Sequence, residues 1–139
     1  MNILFLCVGN SARSQIAEGL AKEMFGTKNN IQSAGSNPTG HVHQCAISTL
    51  KDIGIDINEY KSKSIDDLDE EFKNNLDYVI TLCSEEICPI LPGDTNTLHW
   101  INEDPVNAML NDEQLKIAFK KTRDNIFNLL KKFMIENNL

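Results

Sequence analysis

The stretch Asn2-Ile3-Leu4-Phe5-Leu6-Cys7-Val8-Gly9-Asn10-Ser11-Ala12-Arg13-Ser14-Gln15-Ile16 decides how the rest of the chain is arranged. Asn2 to Cys7 is a short apolar run, predicted as a buried strand. From Ser14 to Phe25, Ile16, Leu20 and Met24 recur at helical spacing, and Gly26 stops that helix. The residues between are a loop that a strand enters and a helix leaves. Gly9 and Asn10 tolerate left-handed backbone angles, so successive N–H groups can turn into one concavity. The helix N-terminus adds free N–H donors and a positive dipole end. Arg13 completes the ring with a planar, two-pronged donor suited to a tetrahedral anion. The same field favours the thiolate of Cys7 over its thiol, and Ser14 can donate a further hydrogen bond to the sulfur. The expectation is an oxyanion site lined by Val8, Gly9, Asn10, Ser11, Ala12, Arg13 and Ser14, with Cys7 as nucleophile. The bland alternative is a buried cysteine at a strand end beside an ordinary helix start; strand, Gly-Asn-Ser turn and helix together favour the site.

Working outward, Ile31 to Ala34 is predicted as a second strand ended by Gly35. Gln44 to Ile53 is predicted as a helix, with Ile47, Leu50 and Ile53 on one side and Gly54 as its stop. Asp66-Asp67-Leu68-Asp69 begins a further short helix, its acids favoured by the helix dipole. Asp77 to Leu82 is the strongest strand signal, and Thr97 to Trp100 a weaker one. Asp112 is expected to cap a long final helix whose Leu115, Phe119, Thr122, Ile126, Leu129 and Phe133 face the core. Strands alternating with helices imply an α/β fold: a three-layer sandwich with a parallel sheet flanked by helices. Ligands then bind at the carboxyl ends of the strands, where Cys7 and Cys83 both fall.

The 139 residues suit one domain, 1–139, long enough to bury a core without a disulfide or metal staple. Runs such as Ile3 to Cys7 and Tyr78 to Ile80 are far too short to span a bilayer, so no membrane partner is expected. The N-terminal residues lack the basic start and cleavage site of a signal peptide, so a cytoplasmic setting is expected. A net charge of -7 argues against nucleic acid, whose binders draw affinity from phosphate neutralisation. In a reducing compartment Cys7, Cys45, Cys83 and Cys88 would be catalytic, redox or metal-binding more often than structural. A zinc site could draw on Cys83, Cys88, His99 or the His41-x-His43-x-Cys45 cluster, but no second close ligand pair exists and no metal is expected. His41, His43 and Cys45 are read as a solvated loop and helix start without a role.

Cys7-Val8-Gly9-Asn10-Ser11-Ala12-Arg13-Ser14-Gln15 with Ala17-Glu18-Gly19 resembles the opening of arsenate reductases within the low-molecular-weight protein tyrosine phosphatase superfamily. Ser33-Ala34-Gly35, Gly54-Ile55-Asp56-Ile57, Thr81-Leu82-Cys83, Cys88-Pro89, His99-Trp100 and Asp104-Pro105 are similar to that branch in order and spacing. The resemblance covers essentially the whole chain and implies a four-stranded parallel sheet flanked by helices. Ala12 departs from it, since several of these reductases carry a further cysteine there. Val106 and Asn107 depart from the phosphatases, which usually follow Asp-Pro with an aromatic residue.

The resemblance implies a thioredoxin-coupled reduction of arsenate with no cofactor, by a monomer. Cys7 attacks arsenic, Asp104 protonates the leaving hydroxide, and Cys83 and Cys88 carry the disulfide outward by thiol exchange. Two alternatives stay open. One is a phosphatase using Cys7, Arg13 and Asp104 alone; the other is a redox-regulated module that binds an oxyanion, arsenate or phosphate, without turnover. Cys83 as a plain strand end, with Cys88 incidental, is the bland reading of the pair. Some similar reductases also hold a potassium ion behind the loop, at positions matching Asn10, Glu18 and Ser33. Where they have a threonine and an aspartate, this chain has Lys61 and Lys63. An ammonium cannot ligate a cation, so Lys63, or failing it Lys61, is expected to put its own charge beside Glu18.

Overall fold

The computed structural model of the chain describes residues 1–83 and 96–139. Four parallel strands form one sheet in the order β2-β1-β3-β4: β1 (Asn2–Cys7), β2 (Asn30–Gly35), β3 (Tyr78–Thr81) and β4 (Asn96–His99). The helices are α1 (Arg13–Phe25), α2 (Gln44–Lys51), α3 (Glu70–Asn74) and α4 (Asp112–Glu136). The expected α/β architecture, a parallel four-stranded sheet flanked by helices, is the one observed.

β1 organises the layers. Ile3 and Phe5 point to the face covered by α1, α2 and α4, where they meet Ile16, Leu20, Leu50, Phe119 and Ile126. Leu4 and Leu6 point the other way, towards Leu68 and Phe72 of the smaller layer. This period-two alternation, with both faces apolar, is what a central parallel strand requires. All four side chains are fully buried, and each such burial contributes about 1.5–3 kcal/mol relative to exposure.

The chain leaves β1 towards β2 on one side, while β3 pairs on the other. The strand order therefore reverses at β1, and the crevice at its carboxyl end is where open α/β sheets bind ligands. Among the described residues no helix is long and apolar enough to cross a membrane.

Strand ends and the start of α1 differ from the sequence reading by one residue, and the other helices differ further. α2 stops at Lys51, because the chain tightens through Ile53 N–H to Leu50 O and then turns at Gly54, whose φ is 83°. Ile53 is thereby half-exposed, and Ile57 fills the core instead. The helix expected from Asp66 is two pieces: a single 3-10 turn over Ile65–Asp67, then α3, with Asp69 accepting from Glu71 N–H. Asn111, not Asp112, caps α4. Its side chain accepts from Gln114 N–H while the Gln114 side chain accepts from Asn111 N–H, the reciprocal box that satisfies two orphan donors. Along α4, Leu130 is buried where Leu129 was expected.

Candidate active site

Cys7 ends β1, buried, with its Sγ 2.8 Å from Ser14 Oγ. Ser14 Oγ also accepts from Asn10 Nδ2 at 2.8 Å, so its own proton is available to the sulfur. Asn10 sits at φ 46°, the left-handed angle its position in the loop suggested. Its Nδ2 also donates to Ser33 Oγ (3.0 Å), and its Oδ1 accepts from Lys63 N–H and Gln15 Nε2 (2.9 Å each). A backbone N–H can only donate, so the Asn10 amide has one orientation.

The loop carbonyls are tied away from the cavity. Val8 O accepts from Asn37 N–H, Gly9 O from Thr39 N–H and Ser62 Oγ, Asn10 O from Gln15 Nε2, and Ser11 O from His43 N–H. In a trans peptide the next N–H points opposite to the carbonyl. The N–H groups of Gly9, Asn10, Ser11 and Ala12 are thus turned the other way, forming the nest an oxyanion needs. Gly35 permits this: a Cβ there would lie 2.3 Å from Val8 O and 3.0 Å from Asn10 N.

A cavity of about 390 Å³ opens over the loop, lined by Cys7, Val8, Gly9, Ser11, Ala12 and Arg13, and across from them by Asn37, Thr39, His41, His43, Asp104 and Val106. Asn10 and Ser14, expected to line it, are fully buried and brace the loop from behind. The buried Arg13 guanidinium donates through Nη1 to Leu82 O (3.3 Å) and Asn102 O (3.1 Å), spanning the ends of β3 and β4. Its Nη2 lies 3.9 Å from Asp104 Oδ2. Asp104 is half-exposed, and its Oδ1 accepts from Val106 N–H.

Leu82 N–H donates to Leu6 O at 2.8 Å. Cys7, the last residue of β1, and Cys83, two residues past the end of β3, therefore each follow that bond by one residue. Cys83 is buried. Cys88 lies outside the described residues.

Behind the loop, Ser33 Oγ donates to Glu18 Oε1 at 2.7 Å. Lys63 Nζ lies 3.7 Å from the same oxygen, and Lys22 Nζ donates to Oε2 at 2.8 Å. Among the described residues, Lys61 supplies a backbone carbonyl to Gln15 Nε2 and no side-chain contact to Glu18. Lys22 also sits 4.7 Å over the Tyr60 ring. Burial works against the charge of Lys22, but its hydrogen bond and ion pair with Glu18 prevail and hold its pKa above the ordinary value. This set does not fit a potassium ion: Asn10 Oδ1 already accepts two N–H groups and two ammonium groups occupy Glu18.

The sequence reading gave His43 no role and left out Lys22. The segment after β2 must return to the same sheet edge as the loop after β1, and that topology was the available signal for His41 and His43. His43 is no solvated bystander. Its Nδ1 accepts from Cys45 N–H at 3.0 Å, capping α2, and its ring stacks on Phe119 with centroids 4.9 Å apart. Burial, then the neighbouring His41, lower its pKa, with Asp104 opposing. Burial pushes the Cys45 thiol up, which sets it apart from a reactive thiolate.

Residues 2–138 match the low molecular weight phosphotyrosine protein phosphatase family. The chain is 40% identical over 133 residues to an arsenate reductase of Halalkalibacterium halodurans, covering 94% of this chain and 93% of that one. Among solved structures it is similar to an arsenate reductase in the phosphate binding state, with 29% identity, a TM-score of 0.79 and 96% of each chain covered. A thioredoxin-dependent arsenate reductase from Corynebacterium glutamicum superposes with a TM-score of 0.68 at 28% identity, over 96% of this chain and 62% of that one. With a Cys-x5-Arg loop at the switch point of a four-stranded parallel sheet, and a match over nearly its whole length, the chain belongs to the low molecular weight phosphotyrosine protein phosphatase family.

Proposed function

We propose that this chain is an arsenate reductase regenerated by thioredoxin. The observation that carries the reading is the pair of buried cysteines, Cys7 lining the cavity and Cys83 just past β3, each one residue beyond the bond from Leu82 N–H to Leu6 O. Hydrolysis of a phosphate ester needs only the first of them. The names of the relatives support the same choice, and one of them is called thioredoxin-dependent.

Arsenate binds to the N–H groups of the loop and to Arg13. Ser14 donates to Cys7 and stabilises its thiolate, which attacks arsenic. A hydroxyl leaves as water, protonated by Asp104, and an S–As(V) bond forms. Cys83 thiolate then attacks the Cys7 sulfur. The S–As bond breaks with its electron pair remaining on arsenic, so arsenite departs as As(III) and a Cys7–Cys83 disulfide remains. Cys88 thiolate attacks Cys83, frees Cys7 and leaves a Cys83–Cys88 disulfide for the external dithiol. The sum is one arsenate and one dithiol converted to arsenite, water and one disulfide. Lys63, joined by Lys22, holds Glu18 and through Ser33 and Asn10 the loop, with no ion required.

A coupled assay tests this reading: NADPH consumption with arsenate, supplied with thioredoxin and its reductase or with glutaredoxin and glutathione. Turnover with thioredoxin is expected. Turnover only with glutathione and glutaredoxin overturns the coupling. Aryl phosphate hydrolysis without arsenate turnover in either system identifies a phosphatase instead.

A further inference from the structure

Asn37, Thr39, His41, His43 and Val106 line the cavity without a part in the mechanism above, and of these His43 has a ring held in place by a stacked neighbour and a hydrogen bond. Its imidazole is fixed on both sides. Phe119 of α4 stacks on one face, and Nδ1 is engaged as acceptor by the N–H of Cys45. Since that backbone group can only donate, the neutral ring carries its proton on Nε2. No described residue hydrogen-bonds to Nε2. Any polar contact the ring makes with a ligand in this cavity must therefore come through Nε2–H, as a donor. The charged and titratable groups around it are His41 of its own loop, Asp104 before α4, and Arg13 and Cys7 across the cavity.

The position relative to the loop is set by the backbone. His43 N–H holds Ser11 O at 2.8 Å, so its backbone is tied to the loop, and both residues line the cavity. Asp104, the proposed acid, shares this wall and interacts with the ring electrostatically. The nest and Arg13 supply donors to the inner oxygens of a tetrahedral anion. An oxygen turned away from the loop would face the wall that carries Asp104 and His43.

We propose that His43 is a further substrate-binding residue, whose neutral Nε2–H donates to the outer oxygen of the bound oxyanion on the side of Asp104. This rests on the reading of the cavity as an oxyanion site. A neutral donor suits the place: it adds affinity for the anion without a fixed positive charge beside the acid.

The residue's second job, capping α2, is separable. Asparagine is among the best N-cap residues and accepts the same N–H, so His43→Asn removes the ring while keeping the cap. Inorganic phosphate serves as an unreactive probe, titrated into the reduced protein by calorimetry and by ¹⁵N NMR of the histidine rings. The expected result is phosphate affinity about tenfold weaker in His43→Asn, the scale of one hydrogen bond to a charged group, at the parent melting temperature. In the parent, the Nε2 resonance of His43 should move on phosphate addition while Nδ1 stays an acceptor. Parent-like affinity in His43→Asn, or an Nε2 resonance that phosphate leaves in place, overturns the proposal. The NMR titration on the parent decides the matter even if the variant is unstable. A parent that binds no phosphate at all removes the oxyanion reading, and this proposal with it.

Discussion

Two loops deliver groups to one cavity, and they are held in opposite ways. In the loop after β1, Asn10 and Ser14 are fully buried, and all four carbonyls from Val8 to Ser11 are tied to other segments. In the loop after β4, Ile101 and Met109 stand in solvent, and Asp104 is half-exposed. Its Oδ1 accepts from the N–H two residues on, its Oδ2 lies 3.9 Å from the Arg13 guanidinium, and Asn107 repeats that local turn with Met109 N–H. The firm anchor there is Asn102, which receives Arg13 at its carbonyl and donates from its side chain to Trp100 O. The difference separates two demands. Binding an oxyanion beside a thiolate needs donors fixed in advance. Delivering a proton to a departing oxygen needs a group that can follow it, and a locally held turn allows that.

The comparison can be broken first at Asp104. Asp104→Asn keeps the turn, since the amide oxygen still accepts from Val106 N–H, but it removes the acid. Single-turnover arsenate reduction should fall by about 10²–10⁴, with phosphate affinity changed far less. Equal loss of both would mean that Asp104 serves binding rather than proton transfer.

Gly35→Ala attacks the rigid loop from behind. The new Cβ must displace Val8 O, a backbone atom, and the N–H of Gly9 moves with it. Misplacement on the scale of 1 Å should cost roughly 10² in rate, with phosphate binding weakened in parallel. A variant with parent kinetics would show that the loop is not held as described.

Lys63 sharpens the comparison more gently. The parent should be indifferent to sodium or potassium at equal ionic strength. Lys63→Met should lose activity only several-fold, because Lys22 still holds Glu18 and partly exposed pairs are weak. Clear stimulation of the parent by potassium would refute the role assigned to the lysines.

The smallest effect concerns His43 and pH. Its pKa in the folded chain lies below the ordinary 6.5, with burial the leading cause. Between the two values the unfolded chain binds more protons, so stability rises with pH across that window and is lost as pH falls below about 6.5. Melting temperatures from pH 7.5 to 5.5 should decline slightly more steeply in the parent than in His43→Asn. Parallel curves would contradict the lowered value.

Local chemistry made much of this legible. An apolar run broken by Gly-Asn-Ser and resumed as a helical stripe reads as a strand, a tight loop and a helix, and the arginine at the loop's end suits an anion. Tertiary placement was less legible. Lys22 lies one turn beyond Glu18, a spacing that usually marks a solvated face; Glu18 is buried because Ser33 on β2 reaches it. The sequence reading puts Asn10 and Ser14 in the cavity wall because spacing alone does not say which loop side chains turn inward. His43 gained its position from Phe119, far along the chain on α4, and no local pattern announces such a partner. Ile53 continued the stripe of α2 in sequence, yet the turn at Gly54 took it out of the core.

The central claim is that a nucleophile shared by two chemistries is joined here by resolving thiols that serve only one. Cys7→Ser, Cys83→Ser and Cys88→Ser should be compared for multiple-turnover arsenate reduction with thioredoxin and for hydrolysis of an aryl phosphate. The account predicts that Cys7→Ser loses both activities, whatever the absolute rate of the hydrolysis, while the other two lose arsenate turnover and retain the parent's hydrolysis. Arsenate turnover at the parent rate in Cys83→Ser and Cys88→Ser would contradict it.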